Sequence, residues 1–426
     1  MTVHADFASQ DYFRNPAASI EKLRALGPVV EVRFPMVGMV WATTTQALAD
    51  QVLKDSATFT IRQDDGTVVG LRWWMPRIIR TLANSMLSMD DPDHRRLRDI
   101  VDEAFRRRAV LGMEPHVQAL GDQLADQLFA DGGTADLVAR YARKLPLSVI
   151  CELLGLPLAD RPKFTAWASV FTRSASPLGI FAMIPTAWVM KRYIERHLEV
   201  VRRQGGEGLI AEIVRVEQEG GKISPNEIVS MVFLLLFAGH ETTTHLISGS
   251  VHELLKNPGL RDWLQQDWSR VDLAVEEFLR FITPVQFTKP RYVRRDVELG
   301  GVRLRRGDKV MAMLAAANMD PAANPNPERL DLQRKPNRHI AFGTGVHFCL
   351  GHQLARMEAK CALKSLFGRW PGLALAVDEK EIRWRQRAGL RAIDRLPVVA
   401  GQGHAAERAS ATPQGDAVTR ADSEHA

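Results

Sequence analysis

Three cysteines, at positions 151, 349 and 361, are all that this chain of 426 residues contains. They are too few and too irregularly spaced for a disulfide framework and fit a reducing, cytoplasmic compartment. Long apolar runs are missing too. The longest, Met231 to Gly239, has nine residues, against the roughly 20 that a membrane-spanning helix needs. The opening stretch MTVHADFASQDYFRNP lacks the apolar core of a signal peptide, so a soluble protein without a membrane anchor is expected. No internal repeat is detectable. Nor is there a nucleic-acid motif: the formal charge of +6 comes with arginines scattered among helical stretches, which reads as a local basic face.

What the chain does have is helical periodicity. Apolar residues recur at three- and four-residue spacing, as in Leu120, Leu124 and Leu128. Ser224-Pro225-Asn226-Glu227 is a capping box with proline in the first turn, and Asp91-Pro92-Asp93 opens a helix predicted over His94 to Arg108. Strand signals concentrate in Val29 to Thr43 and Tyr292 to Met313, where Val297 to Leu304 reads as a hairpin around Gly300-Gly301. The glycine-rich stretches 203–208 and 219–222 are short and flanked by helix, as loops within one domain are. From Gly401 to Ala426 the only branched aliphatic residue is Val418, which predicts a disordered polar tail at 401–426. Residues 1–400 then form one domain, mainly α with small β-sheets.

Cys349 stands between a glycine-rich turn and a helix, in AFGTGVHFCLGHQLARME. A dinucleotide loop would need a third small residue where Phe348 stands, and a βαβ unit around it. Zinc would need more than His347 and Cys349, and the other cysteines form no spaced second pair. His240-Glu241-Thr242-Thr243-Thr244-His245 resembles the zinc-protease HExxH, but with one residue too many. Histidines at i and i+5 lie about 140° apart on a helix and cannot share a metal. An inert buried thiol or a ligand thiolate remains. Cys361 exemplifies the first, lying with Leu350, Leu354 and Met357 on a packed helical stripe. Cys349 instead precedes the helix, where the positive dipole end favours an anion. Gly343, Gly345 and Gly351 leave room for a flat cofactor.

Phe342-Gly343-Thr344-Gly345-Val346-His347-Phe348-Cys349-Leu350-Gly351 resembles the haem-binding signature of the cytochrome P-450 family, and the resemblance extends from about Asp90 to Leu396. It implies the P-450 fold, a single large domain around a buried haem b, with Cys349 as the thiolate on the iron and Phe342, Gly343, His347 and Gly351 around the cofactor. An anionic sulfur pushes electron density through iron and favours O–O cleavage of bound dioxygen.

A second element, Ala238-Gly239-His240-Glu241-Thr242-Thr243, is similar to the family's oxygen-activating stretch. Its helix, Asn226 to Leu255, is apolar nearly all round in its first half, so a buried Glu241 and Thr242 are costly unless used. The plain alternative is that they satisfy one another, since threonine often bonds back to its own helix. The resemblance implies that Glu241 and Thr242 are catalytic, relaying protons to dioxygen. Gly239 costs about 1 kcal/mol relative to alanine mid-helix, which close approach of the flat ligand would explain. Glu277 and Arg280 resemble the family's ExxR, with Arg329 as third partner in a structural ion-pair network. The same spacing at Glu21, Glu103, Glu199 and Glu212 shows how little the pattern means alone. His94 and Arg98 share a helix face and join Arg291 and His347, by family position, as partners of the two haem propionates; an exposed basic helix is the plain alternative. Asn318-Met319-Asp320-Pro321 and Leu330 depart from the family pattern and bear on loop packing only.

The resemblance implies a monooxygenase that inserts one atom of dioxygen into a substrate. A peroxide-driven peroxygenase and a non-catalytic haem sensor are the alternatives, both disfavoured by the Glu241-Thr242 pair. No flavin or nucleotide motif is fused, and three cysteines cannot build a four-cysteine iron-sulfur site while one holds haem. Electrons are therefore expected from a separate acidic ferredoxin and its reductase, docking on Arg106, Arg107, Arg108, Arg356, Lys360 and Lys364 of a monomer. Large apolar residues in the family's substrate-contacting positions predict a bulky, mostly apolar organic substrate, terpenoid or steroid-like ahead of fatty acids. They are Trp73-Trp74-Met75 with Ile78, Ile79 and Leu82; Phe181-Ala182-Met183-Ile184-Pro185; and Val285-Gln286-Phe287, with one polar group. Arg72, Arg77 and Arg80 raise the further expectation of a carboxylate on that substrate.

Overall fold

The computed structural model describes residues 6–68, 76–107, 110–173 and 177–401. The predicted tail beyond 401, Arg72, Trp73-Trp74-Met75 and Arg108 lie outside the described residues, as do the side chains of Arg77, Ile79, Arg106, Arg107, Phe181 and Ala182.

In chain order the helices are α1 Gln10–Arg14, α2 Pro16–Leu26, α3 Gln46–Lys54, α4 Arg77–Ala83, α5 Asp93–Arg107, α6 Glu114–Asp126, α7 Lys144–Leu154, α8 Arg161–Arg173, α9 Pro177–Gln204, α10 Leu209–Gln218, α11 Pro225–Lys256, α12 Pro258–Gln266, α13 Val271–Ile282, α14 Leu314–Asn318 and α15 His352–Arg369. The strands are β1 Val29–Phe34, β2 Gly38–Thr43, β3 Phe59–Thr60, β4 Thr134–Asp136, β5 Arg291–Val293, β6 Val297–Leu299, β7 Val302–Leu304, β8 Lys309–Ala312, β9 Ala374–Leu375 and β10 Pro397–Val399.

The largest sheet runs β1-β2-β8-β5-β3. β1 and β2 form the hairpin predicted over Val29 to Thr43, with Val32 opposite Val40. β2 runs parallel to β8, and β8 is antiparallel to β5. The predicted stretch Tyr292 to Met313 therefore divides: β5 and β8 join this sheet, while β6 and β7 make a separate hairpin. Its turn, Gly300-Gly301, has φ of 58° and 79°, the left-handed pair that a two-residue hairpin turn needs.

α11 is the central element. The Ser224 hydroxyl accepts from the Glu227 N–H and the Glu227 carboxylate accepts from the Ser224 N–H, completing the capping box at its start. Glu227 also takes Arg96 of α5 at 2.6 Å, which ties the two helices together. Downstream, α11 packs against α7, α13 and α15. Leu246, Ile247, Val251 and Leu254 are buried there with Phe278 of α13 and Leu363 and Phe367 of α15; each such side chain contributes about 1.5–3 kcal/mol by leaving water. α15 begins at His352, so Leu350 lies in the preceding loop, whereas Leu354, Met357 and Cys361 are buried on the helix.

Candidate active site

The Cys349 loop folds back on itself. The Cys349 N–H donates to the Phe342 carbonyl at 3.0 Å, and the Gly343 N–H to the Ile340 carbonyl at 2.9 Å. Gly345 has φ 72°, and a Cβ there would lie 2.3 Å from the Leu53 carbonyl at the end of α3, so this glycine seats the loop on the sheet side. It does not clear space for a cofactor. At Gly343 and Gly351 a Cβ would meet nothing within 4 Å, which is compatible with the room expected there for a flat cofactor. Phe342 is held by the guanidinium of Arg356, 4.6 Å from its ring centre. Burial pushes the Cys349 thiol above its ordinary range, against the Gly351 N–H, Arg98 and Arg356. The helix start alone thus falls short of the stabilised anion expected there; a cation bonded to the sulfur would hold it as thiolate.

Beside this loop lies a cluster of two arginines and two histidines. His94 is 3% exposed, sits 3.4 Å from Asp91 and packs its ring 4.2 Å from that of His347. Arg98 reaches from α5 to the Phe348 carbonyl at 2.7 Å while pairing with Asp102 at 3.0 Å. Neither belongs to a merely exposed basic helix. Arg291 on β5 is buried and donates to the Phe59 carbonyl at 3.1 Å. Burial, then His94, Arg291 and Lys289, push His347 down to about 3. Arg291 Nε, His347 Nε2 and Thr344 Oγ1 are all buried without a hydrogen-bond partner. Unpaired donors beside buried positive charge fit an anionic, carboxylate-bearing group such as haem.

The middle of α11 is open. Ala238 is exposed and Phe233, Leu234, Phe237 and Thr242 are half-buried, although the helix is buried on either side of them. The Thr242 hydroxyl donates to the Ala238 carbonyl at 2.8 Å, the bond back to its own helix. Glu241 turns elsewhere, with Arg387 at 3.3 Å and His245 at 3.9 Å. Burial opposes its charge, yet His245 and Arg387 more than offset this and hold the carboxyl at about 2. Burial also lowers His245, whose two ring nitrogens have no hydrogen-bond partner. The acid and alcohol thus do not bond to each other. At Gly239 a Cβ would lie 3.2 Å from Ile150 of α7, so the missing side chain serves helix packing there.

Glu277 and Arg280 form a fully buried bidentate pair, both bonds 2.8 Å. The third side chain is Arg334, whose Nε donates to both Glu277 oxygens at 3.1 and 3.2 Å, with Asn337 at 3.0 Å. Arg329 is exposed and contributes only its carbonyl, to Arg280 and Arg334. The expectation for Arg329 is corrected on that geometry. Nothing in the sequence separates Arg329, Arg334 and Arg338, because the choice depends on how the loop after Pro327 turns.

The expected docking face is thinner than its sequence. Arg356 is chelated by Glu276 at 2.5 and 2.9 Å, and Lys360 pairs with Glu114 at 2.8 Å and Asp272 at 3.6 Å. Lys364 borders a surface groove with Gly112, Glu114 and Gln118. Among the substrate walls, Ile78, Met183, Ile184 and Val285 are half-buried. Gln286 and Phe287 are not wall residues. Gln286 is buried against the Tyr12 hydroxyl at 2.8 Å and Phe287 packs between Phe7 and Phe34. Lys289, which donates to the Ser88 hydroxyl, was missed by sequence reasoning although it is the one charge between Val285 and Arg291. Glu358, buried on α15 beside Thr243, was missed as well, since helical periodicity does not register a lone acid on an apolar stripe.

A family model described as "Cytochrome P450" matches residues 187–371. The chain is 38% identical to the Vitamin D(3) 25-hydroxylase of Pseudonocardia autotrophica, over 94% of this chain and 97% of that protein. It is 36% identical to the cytochrome P450 monooxygenase PikC of Streptomyces venezuelae, over 94% of each. Among solved structures, the myxobacterial cytochrome P450 CYP267B1 in complex with myristic acid superposes with a TM-score of 0.85 at 35% identity, covering 93% of this chain and 99% of that one.

Proposed function

The chain belongs to the cytochrome P450 family and is a haem-dependent monooxygenase, and from that premise we propose that it oxygenates a bulky, mostly apolar molecule of steroid, terpenoid or polyketide size. Phe233, Leu234, Phe237 and Ala238, the open stretch of an otherwise buried α11, carry this reading. They offer a large apolar surface next to Thr242, and pockets of this kind orient their ligands with few polar groups. A relative named for vitamin D(3) and another bound to myristic acid support an apolar ligand.

When bound, haem supplies the iron on which dioxygen is activated. Cys349 holds that iron by its sulfur, and Arg98, through the Phe348 carbonyl, fixes the strand of loop that carries it. Arg291 and His347 offer their unpartnered nitrogens to the carboxylates of the group, backed by His94. Thr242 gives its proton to Ala238 and so presents its oxygen lone pairs to the cavity as an acceptor. Glu241 is ionised beside Arg387, so to relay a proton it must first take one up from solvent and then pass it to Thr242 by leaving Arg387 or through an intervening water. A separate acidic ferredoxin and its reductase supply the electrons, and the protein works as a cytoplasmic monomer.

Turnover under dioxygen with a donor system, under peroxide alone and under neither separates monooxygenase, peroxygenase and sensor. Thr242→Ala is expected to keep substrate affinity and to lower product per reduced nicotinamide several-fold, the remainder appearing as hydrogen peroxide, while Thr242→Ser keeps the ratio. An unchanged ratio in Thr242→Ala makes the residue a packing element. A tight low-to-high-spin shift with a small polar compound, and none with steroids or macrolactones, overturns the apolar pocket.

A further inference from the structure

The cation cluster holds more charge than its protein partners meet. Arg62 donates to the Ser88 carbonyl at 2.7 Å and to the Asn84 side-chain oxygen at 2.6 Å, and Arg291 donates to the Phe59 carbonyl. Lys289 donates from Nζ to the Ser88 hydroxyl at 2.5 Å. All three cations thus rest on neutral oxygens. The one carboxylate set among them, Asp90, accepts from the backbone N–H groups of Ile61 and Arg62, both at 2.9 Å. Among the described residues Lys289 has no acidic partner. Its side chain is exposed, yet burial and Arg62 lower its amine to about 8. The only hydrogen-bond partner of that amine among the described residues is the neutral Ser88 hydroxyl. Three cations against one carboxylate leave an excess of two positive charges in this cluster.

We propose that Lys289 is a carboxylate-binding residue on the edge of the haem cavity, next to Arg291, taking either a propionate of the haem or the acid group of a substrate. The two sources share one chemistry, an ammonium–carboxylate bond in a desolvated place, where it is shorter and stronger than a bond to a neutral oxygen. Two propionates would balance the excess. A substrate acid would meet the same amine from the side of Val285, the half-buried residue of the adjoining wall. The substrate arm rests on the apolar-pocket reading above; the propionate arm does not.

The holoenzyme, its Lys289→Met variant, which keeps the apolar stem, and Lys289→Arg, which restores charge, are compared in two measurements. One is the rate of haem loss to an excess of apomyoglobin. The other is spectral titration with myristic acid and with myristyl alcohol. If Lys289 holds a propionate, Lys289→Met loses haem several-fold faster, Lys289→Arg restores the rate, and the acid-over-alcohol preference is unchanged. If it holds a substrate acid, haem loss is unchanged, the acid binds at least about tenfold more weakly and the alcohol binds as before. Unchanged haem loss together with an unchanged acid preference overturns the proposal. Should the wild type bind neither lipid, the apolar-pocket reading fails separately and haem loss alone decides. Should Lys289→Met fold poorly, Lys289→Gln is put through the same pair of measurements.

Discussion

Replacing Cys349 by serine is expected to abolish the strongly red-shifted band of the reduced carbon monoxide complex, because a neutral oxygen cannot donate electron density as thiolate does. Cys151→Ser and Cys361→Ser should keep it. Burial pushes those two thiols up to about 12 and about 11, and both pack in the hydrophobic core. The same physics acts on Glu358, whose carboxyl burial raises to about 8 against the Thr243 hydroxyl, leaving Oε2 unpartnered. Its ordinary value is 4.5, so between pH 4.5 and about 8 the native state keeps a proton that the unfolded chain has lost. Stability owed to this group is therefore complete below 4.5 and falls as pH rises, by at most about 1.4 kcal/mol per unit. Glu358→Gln should flatten that slope in holoenzyme melting curves taken across the window; parallel curves for the two proteins would show the acid to be ionised throughout.

At the scale of elements, the Cys349 loop depends on the Glu277 network, because the chain runs from it through Asn337 and Ile340 straight into Phe342. The Asn318 side-chain oxygen accepts from the Ile340 N–H at 2.7 Å while the Asn318 carbonyl accepts from Arg280 at 3.1 Å. Arg334→Ala removes one of two cations from a fully buried carboxylate and should cost about 3–5 kcal/mol or prevent haem loading. Arg329→Ala leaves the carbonyl in place and should be within about 0.5 kcal/mol of wild type. Denaturant midpoints and haem content measure both, and the reverse order would reinstate Arg329. The pair Glu277 and Arg280 was legible in sequence because both ride one helix, three residues apart. Their partner was not, because a loop without period carries it. A similar limit applies on α11, where the periodicity predicts burial of Glu241 and Thr242 but not that adjacent residues point along different radii, one to Arg387 and the other to Ala238.

Over the whole molecule, sequence periodicity anticipated the helical fold and the β1–β2 and β6–β7 hairpins, while the cysteine loop was legible through its glycines and its resemblance to the family signature. Charge was the poorer guide. Basic residues at four-residue spacing on α15 read as a free face, whereas Glu114, Glu276 and Asp272, distant in sequence, neutralise two of them. Reduction by an acidic ferredoxin should accordingly slow with salt, since screening confines charge effects to about 10 Å at 0.1 M. Lys364→Glu should slow it several-fold at low salt, and Lys360→Met less. Stopped-flow reduction under carbon monoxide measures this, and equal rates with acidic and basic donors would remove the electrostatic docking. The cation cluster also bears on how the protein is made. Its cations, Arg62, Lys289 and Arg291, and the histidines beside them, His94 and His347, lie on segments that meet only when β3 pairs with β5 and the cysteine loop seats on α3. A growing chain cannot assemble this cradle until residue 351 of 426 has left the ribosome. Cofactor capture therefore waits for the cysteine loop, and a cell short of haem would accumulate chains in which Arg62, Lys289 and Arg291 go without an acidic partner.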